Sequence, residues 1–135
     1  MQVDGGADPP QPTLDAIGAL IDESRAAGMN VRARLEASGG EPLVGRTAYR
    51  IVQEGLTNAR KHAPAAAVDV TVAADDELLV LVVSRHAAAR ANGTPPGGGT
   101  GLIGLAERVA LSGGELHHGP NERGDFVLRA TLPWT

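Results

Sequence analysis

Hydrophobic spacing along the chain predicts three helices and five strands. In three segments the apolar residues recur every three or four positions, and in five others they alternate with polar residues or run together briefly. The predicted helices cover residues 13–27, 43–63 and 102–112. The predicted strands cover residues 30–37, 68–73, 78–84, 115–118 and 126–132. Thr13 is the predicted N-cap of the first helix, and Val31, Ala33 and Leu35 alternate with charged residues in the first strand.

The order of these elements favours one fold class. Adjacent strands come in runs separated by helices, and a long irregular segment over residues 85–99 precedes the last helix. We therefore expect an α+β two-layer sandwich, in which helices cover one face of a mixed sheet, rather than a regularly alternating parallel fold. Residues 1–12 hold three prolines and two glycines with little to bury, so we expect a disordered tail or linker remnant followed by one domain over residues 13–135.

Composition excludes several classes of function. The chain has 135 residues, enough for one domain with a proper core. A formal net charge of -4 and a single Phe, Tyr and Trp argue against nucleic-acid binding. Without cysteine there are no disulfides or thiolate metal sites. No apolar run approaches the length of a bilayer span, so we expect a cytoplasmic domain that makes no membrane contact.

The helix predicted over residues 43–63 carries a row of chemically useful side chains. Glu54, Asn58 and Lys61 fall on one side of it, opposite an apolar stripe. A carboxylate, an amide and a cation in this order could serve Mg-ATP chemistry, although a polar helix face is often only a solvated surface. A second feature favours chemistry: the glycine-rich run 97–104 leads directly into the last helix, where free backbone N–H groups can bind phosphate.

Two motifs give the chain a family resemblance. Residues 49–63 read YRIVQEGLTNARKHA, which is similar to the N box of bacterial sensor histidine kinases, and the glycine-rich run is similar to their G2 box. From Leu14 to Trp134 the chain resembles their catalytic ATP-binding (HATPase) domain, a Bergerat fold that gyrase-type, Hsp90-type and MutL-type ATPases share. The N box most resembles the subfamily paired with NarL-type response regulators. Whether a parent protein is membrane-anchored is left open.

The resemblance implies a role for each N box residue. Asn58 would supply an amide oxygen to Mg2+ bridging the ATP phosphates, and Glu54 would orient or deprotonate the nucleophile. Lys61 and His62 would neutralise charge on the triphosphate, because phosphoryl transfer depends on positioning and electrostatics.

The G2 box resemblance concerns the phosphates and a lid. The implied phosphate-binding residues are Gly99, Thr100, Gly101 and Leu102, with Gly104 allowing close backbone approach. The segment 85–96, rich in small residues, would be the ATP lid.

One departure from the family pattern concerns adenine. The strand before the lid usually ends in an Asp that accepts a hydrogen bond from the adenine amino group. Here Arg85 stands at that position, or Ser84 if the register shifts by one. Arg has no acceptor, so adenine specificity must come from backbone carbonyls, water or Ser84. We expect nucleotide binding to be weaker by about one to two powers of ten.

The function implied by the resemblance is transfer of the ATP γ-phosphate to a His on a dimerisation and phosphoacceptor helical domain in two-component signalling. No segment before Thr13 is long enough to be that domain, so we expect the partner to be the dimerisation and phosphoacceptor helical domain of the parent kinase, with a NarL-type response regulator as an indirect partner. Two alternatives remain: a degenerate nucleotide-binding or protein-interaction module, and a stand-alone anti-sigma-type Ser kinase.

Overall fold

A five-stranded sheet organises residues 12–85 and 100–134, the part of the chain that the computed structural model describes. The strands are β1 (Asn30–Glu36), β2 (Ala67–Ala74), β3 (Glu77–Ser84), β4 (Glu115–Pro120) and β5 (Phe126–Pro133). The helices are α1 (Ile17–Ala26), which follows a 3-10 turn at Leu14–Ala16, α2 (Pro42–His62) and α3 (Thr100–Leu111). When the 3-10 turn is counted with α1, every predicted boundary lies within two residues of the observed one.

The order of strands in the sheet is β1-β2-β3-β5-β4. β1 and β2 are parallel, and α2 makes the crossover between them. The other three neighbouring pairs are antiparallel. The predicted α+β fold with a mixed sheet is therefore confirmed.

One face of the sheet carries the core. Along β2, β3 and β5 alternate side chains are buried against the helices, and they are Val68, Val70, Val72, Leu78, Val80, Val82, Phe126, Leu128, Ala130 and Leu132. From the helices, Ile17, Ile51 and Leu102 are among the residues that complete this core. Residues of β3 on the opposite face, such as Leu81 and Val83, are only half-buried. Burial on a single face agrees with the expected two-layer arrangement.

Gly55 brings α2 close to the sheet. A Cβ atom at this position would lie 2.8 Å from Cγ1 of Val82 on β3, closer than real Cβ contacts come. The absence of a side chain thus allows the middle of α2 to lie directly on the central strands. This contact sets the distance from the sheet of the polar residues that follow Gly55 on α2.

Two local predictions differ from the structure. Thr13 makes no side-chain capping hydrogen bond; instead its carbonyl oxygen accepts a bond from the N–H of Ala16 at 2.9 Å, and the helix opens with the 3-10 turn. In β1 only Val31 is buried, while Ala33 and Leu35 are exposed, Leu35 by 42%. β1 is an edge strand with one neighbour, so alternation in its sequence does not translate into burial. None of the helices within the described residues could cross a bilayer.

Candidate functional site

Glu54, Asn58 and Lys61 lie along one side of α2 with graded exposure, and Asn58 is buried although the sequence placed it opposite the apolar stripe. Asn58 is buried, Glu54 and His62 are half-buried, and Lys61 is exposed. They share a helix with the buried residues Ile51, Gly55 and Ala59, and the packing of those residues fixes the backbone of the row. Arg60, Lys61 and His62 occupy the last turn, where positive charge complements the helix dipole.

Asn58 has an incomplete hydrogen-bond environment. Only 4% of its surface is exposed, and its Nδ2 atom has no hydrogen-bond partner in the described part of the chain. A buried donor without a partner costs about 1–3 kcal/mol. Such a cost is explained when a ligand supplies the missing partner, so this amide fits a polar molecule that lies against α2.

The N-terminus of α3 meets the side chain of Glu54. A Cβ atom at Gly101 would lie 2.6 Å from Oε2 and 3.0 Å from Oε1 of Glu54, so the carboxylate lies directly against the first turn of α3. The first N–H groups of a helix have no partner within it and carry partial positive charge. The fold therefore places a carboxylate, a buried amide one turn away and a helix N-terminus in one location. This combination can hold an anionic ligand and act on a proton beside it.

Other residues of the glycine-rich motif lie in different surroundings. Leu102 is 1% exposed and its side chain belongs to the core, so only its backbone is free to face a ligand. Gly104 is exposed, and no described atom lies within 4 Å of a Cβ built on it, so the close approach predicted there is not made by protein. Thr100 is the first residue of α3. Gly99 and the lid residues 86–96 lie outside the described residues.

At the end of β3, the side chains of Ser84 and Arg85 point to opposite faces of the sheet. Ser84 is buried at 4% exposure, on the helix-covered face that also holds Val82. Arg85 points to the opposite face, where Nε donates to Oδ2 of Asp69 at 2.7 Å and Nη2 lies 2.6 Å from the same oxygen. Asp69 also accepts a hydrogen bond from Arg32 at 3.2 Å. Of the two residues considered for the adenine region, Ser84 is therefore the one on the side of α2.

The structure also brings together three arginines whose proximity was not predicted from the sequence. Arg46 and Arg50 of α2 and Arg108 of α3 line one cavity of about 260 Å³, together with Leu43 and Thr47. We call this the arginine cavity. The spacing of four residues between Arg46 and Arg50 is a signal that sequence reasoning could have used, since it places like charges on one helix face. The contribution of Arg108 depends on how α3 packs against α2.

The described residues hold no cluster of three or more His, Cys, Asp or Glu side chains that could bind a metal ion. A divalent ion at Asn58 would therefore need oxygen ligands from a bound molecule. Phosphate groups supply such oxygens, and Mg2+ is often bound by few protein ligands in this way. The unpartnered group of Asn58 is an N–H donor, so what it fits directly is an oxygen of such a bound molecule.

Comparison with known proteins gives relatives of one kind, although no protein-family model matches the chain. The chain is 44% identical over 73 residues to the signal transduction histidine-protein kinase/phosphatase UhpB of Salmonella typhimurium. The aligned region covers 52% of the chain and 14% of UhpB. The chain is 29% identical over 124 residues to the sensor histidine kinase YxjM of Bacillus subtilis, which covers 89% of the chain and 30% of YxjM. The chain thus spans less than a third of either curated relative.

Solved structures identify the fold. The ATP-binding domain of PrrB from Mycobacterium tuberculosis superposes with a TM-score of 0.64 at 19% identity, covering 90% of the chain and 93% of that domain. The chain has the fold of histidine kinase ATP-binding domains, as the resemblance implied. Its curated relatives named above are histidine kinases.

Proposed function

We propose that this chain is the ATP-binding catalytic domain of a sensor histidine kinase. In this role it binds Mg-ATP and passes the γ-phosphate to a His on a dimerisation and phosphoacceptor helical domain of the parent kinase. The observation that carries the proposal is the buried amide of Asn58, which lacks a partner and lies one helical turn from the Glu54 carboxylate at the N-terminus of α3. The fold and the histidine kinase relatives support the same function.

Each residue of the α2–α3 junction has a distinct task in this proposal. The amide oxygen of Asn58 would hold Mg2+, which supplies charge neutralisation and alignment of the phosphates when bound. The Nδ2 group of Asn58 donates to a phosphate oxygen and so gains the partner that it lacks. The free N–H groups of the first turn of α3 donate to other phosphate oxygens, while Lys61 and His62 add positive charge.

Glu54 is the proposed catalytic residue. Its carboxylate accepts a hydrogen bond from the N–H of the acceptor imidazole and orients the ring; it takes that proton as the other ring nitrogen bonds to the γ-phosphorus and the bond from this phosphorus to the leaving oxygen of ADP breaks. The absence of a side chain at Gly101 leaves room for the carboxylate beside the phosphate-binding N–H groups. General base and phosphate are thus held on two elements that pack against each other.

Adenine recognition is assigned to Ser84 in this proposal. Its hydroxyl can accept a hydrogen bond from the adenine amino group, whereas Arg85 is turned away and paired with Asp69. A hydroxyl is a weaker acceptor than a carboxylate, so binding is expected to be weak. The same feature supports a second candidate function, a nucleotide-binding or protein-interaction module that has lost kinase activity.

The narrower assignments follow from the same family. We propose a parent kinase of the subfamily paired with NarL-type response regulators, acting in the cytoplasm, because the N box resembles that subfamily. The alignment with UhpB, at 44% identity over 73 residues, lends this assignment loose support. The response regulator would be an indirect partner, reached through the phosphorylated His.

A calorimetric titration tests the proposed function. The chain is titrated with a non-hydrolysable ATP analogue with and without Mg2+, beside Asn58→Ala and the control Asn30→Ala, which removes an exposed amide at the start of β1. We expect saturable, Mg-dependent binding by the unaltered chain and the control, and its loss in Asn58→Ala. No binding at millimolar nucleotide would instead support the degenerate module.

A further inference from the structure

The arginine cavity concentrates positive charge on a chain that is negative overall. The formal net charge is -4, yet Arg46, Arg50 and Arg108 all line one cavity of about 260 Å³. None of the three forms an ion pair with a described residue, which is also true of Arg60, Arg123 and Arg129, but the first three share one cavity. Like charges one turn apart on a helix are slightly destabilising. An acidic group from outside these residues would remove the repulsion.

The position of the cavity relates it to the proposed chemistry. Gly101 at the start of α3 contacts Glu54, and Arg108 farther along α3 shares the cavity with Arg46 and Arg50. α3 therefore runs antiparallel to α2. Along the i+4 row of α2, Asn58 and Glu54 are followed by Arg50 and Arg46. In the proposed function the metal lies at Asn58 and the acceptor His at Glu54. The arginines then lie beyond Glu54, on the side away from the nucleotide. The rest of the acceptor domain extends in that direction.

The shape of this surface suits a helix. The cavity is lined by residues of two helices in contact, four on α2 and one on α3, and a third helix can pack against such a pair. Arg46 and Arg50 are one turn apart, so they match carboxylates that are also one turn apart on a partner helix. Leu43 lines the same cavity and is 55% exposed, which provides apolar contact beside the charges.

From these observations we infer that the arginine cavity is the docking site for an acidic helical segment of the domain that carries the phosphoacceptor His. The inference rests on the proposed function, because Glu54 and Asn58 define the direction in which the acceptor lies. Guanidinium groups bind carboxylates through paired hydrogen bonds, so three arginines hold an acidic row in a defined register. These arginines are positioning residues, which set where the acceptor His meets Glu54.

Nuclear magnetic resonance with the isotope-labelled chain tests the inference. The probe is an alanine-rich helical peptide with two Glu residues four positions apart, compared with the same peptide carrying Gln and with inorganic phosphate. The variant is R46Q/R50Q/R108Q, and the matched control is R34Q/R123Q/R129Q, which changes the net charge equally at exposed positions elsewhere. Arg50→Gln alone, an exposed change, is measured beside the triple variant so that a folding defect in the latter does not decide the result.

We expect the Glu peptide to shift the Nε–Hε signals of the cavity arginines, and the Gln peptide to leave them unchanged. The triple variant should weaken peptide binding about tenfold, with a smaller loss in Arg50→Gln and less than a twofold change in the control. Equal losses in both triple variants would show diffuse charge attraction and overturn the inference. Phosphate binding as tight as that of the peptide would make the cavity a small-anion site instead.

A second titration separates this inference from the proposed function. All variants are titrated with the Mg-bound ATP analogue, and those of the arginine cavity should bind it as the unaltered chain does. Loss of nucleotide binding in R46Q/R50Q/R108Q with the fold intact would assign the arginines to the nucleotide site and overturn docking. If the unaltered chain binds the peptide but no nucleotide, the proposed function and the assignment of the partner to the phosphoacceptor domain fail, while the arginine cavity remains a docking site for an acidic helix.

Discussion

Arg85 forms an ion pair with Asp69 across neighbouring strands, with Nη2 of the arginine 2.6 Å from Oδ2 of the aspartate. The backbone N–H of Arg85 also donates to the carbonyl oxygen of Ala67 at 2.9 Å, which continues the pairing of β3 with β2. This arrangement turns Arg85 to the half-exposed face of the sheet and leaves Ser84 on the buried face. At this end of the strand, the side chain on the side of α2 is therefore that of Ser84 and not that of Arg85.

Ser84→Asp should strengthen binding of an ATP analogue about tenfold, because a carboxylate is a better acceptor for the adenine amino group. The matched control is Arg85→Asp, which places the same carboxylate on the opposite face beside Asp69. That control should leave nucleotide affinity unchanged and slightly lower stability through like-charge repulsion. Calorimetric titration measures both, and a gain in Arg85→Asp without one in Ser84→Asp would contradict the assigned register.

Gly101→Ala should displace Glu54 without unfolding the domain. The new Cβ would overlap the carboxylate, which is the flexible end of a side chain and can rotate away. We expect ATP-analogue affinity to fall about tenfold as the first turn of α3 is crowded. Leu111→Ala, a change at the exposed far end of α3, is the control and should leave nucleotide affinity unchanged. Equal affinities for the two variants would contradict the proposed phosphate site.

Gly55→Ala should destabilise the fold by about 1–3 kcal/mol, because its Cβ would overlap Val82 in the packed layer between α2 and β3. Urea denaturation measures the loss. Val82→Ala removes Cγ1 and Cγ2, two of the three overlapping atoms, and leaves Cβ at 2.9 Å, so the double variant should be less damaged than the sum of the two single changes. Strict additivity would mean that the two positions do not contact each other as described.

Glu54→Gln should retain ATP-analogue binding and lose phosphoryl transfer. In an assay that supplies the phosphoacceptor domain of the parent kinase, we expect the rate to fall by about 100-fold or more, since the amide cannot take a proton. Glu107→Gln, an exposed change on α3, serves as the control for charge and should leave the rate unchanged. Retained transfer in Glu54→Gln would exclude Glu54 as the base.

The helices and strands were predictable because their hydrophobic periods are clear, and the polar row on α2 followed from the same periodicity. The register at Ser84 and Arg85 was not. β3 has apolar residues on both faces, including Leu79, Leu81 and Val83 on the half-buried side, so alternation in the sequence does not reveal which face is inward. Only the pairing of β3 with β2 and β5 resolves it.

The arginine cavity could not be predicted from the sequence, for a different reason. Arg46 and Arg108 are far apart in sequence, and their proximity follows from the antiparallel packing of α3 on α2, which no local pattern encodes. Likewise, the sequence could not show that Glu54 meets Gly101. Contacts between elements depend on tertiary packing, whereas single elements depend on local spacing.

Because α2 is uninterrupted, it fixes the distance between the groups that it carries. Arg46 and Glu54 stand eight residues apart on one uninterrupted helix, so they are separated by about 12 Å along its axis. Partners would then be selected by spacing as well as by charge, because an acidic group must lie at a matching distance from the acceptor His. Inserting one residue into α2 between these positions would rotate one group by about 100° relative to the other and so change which partners fit.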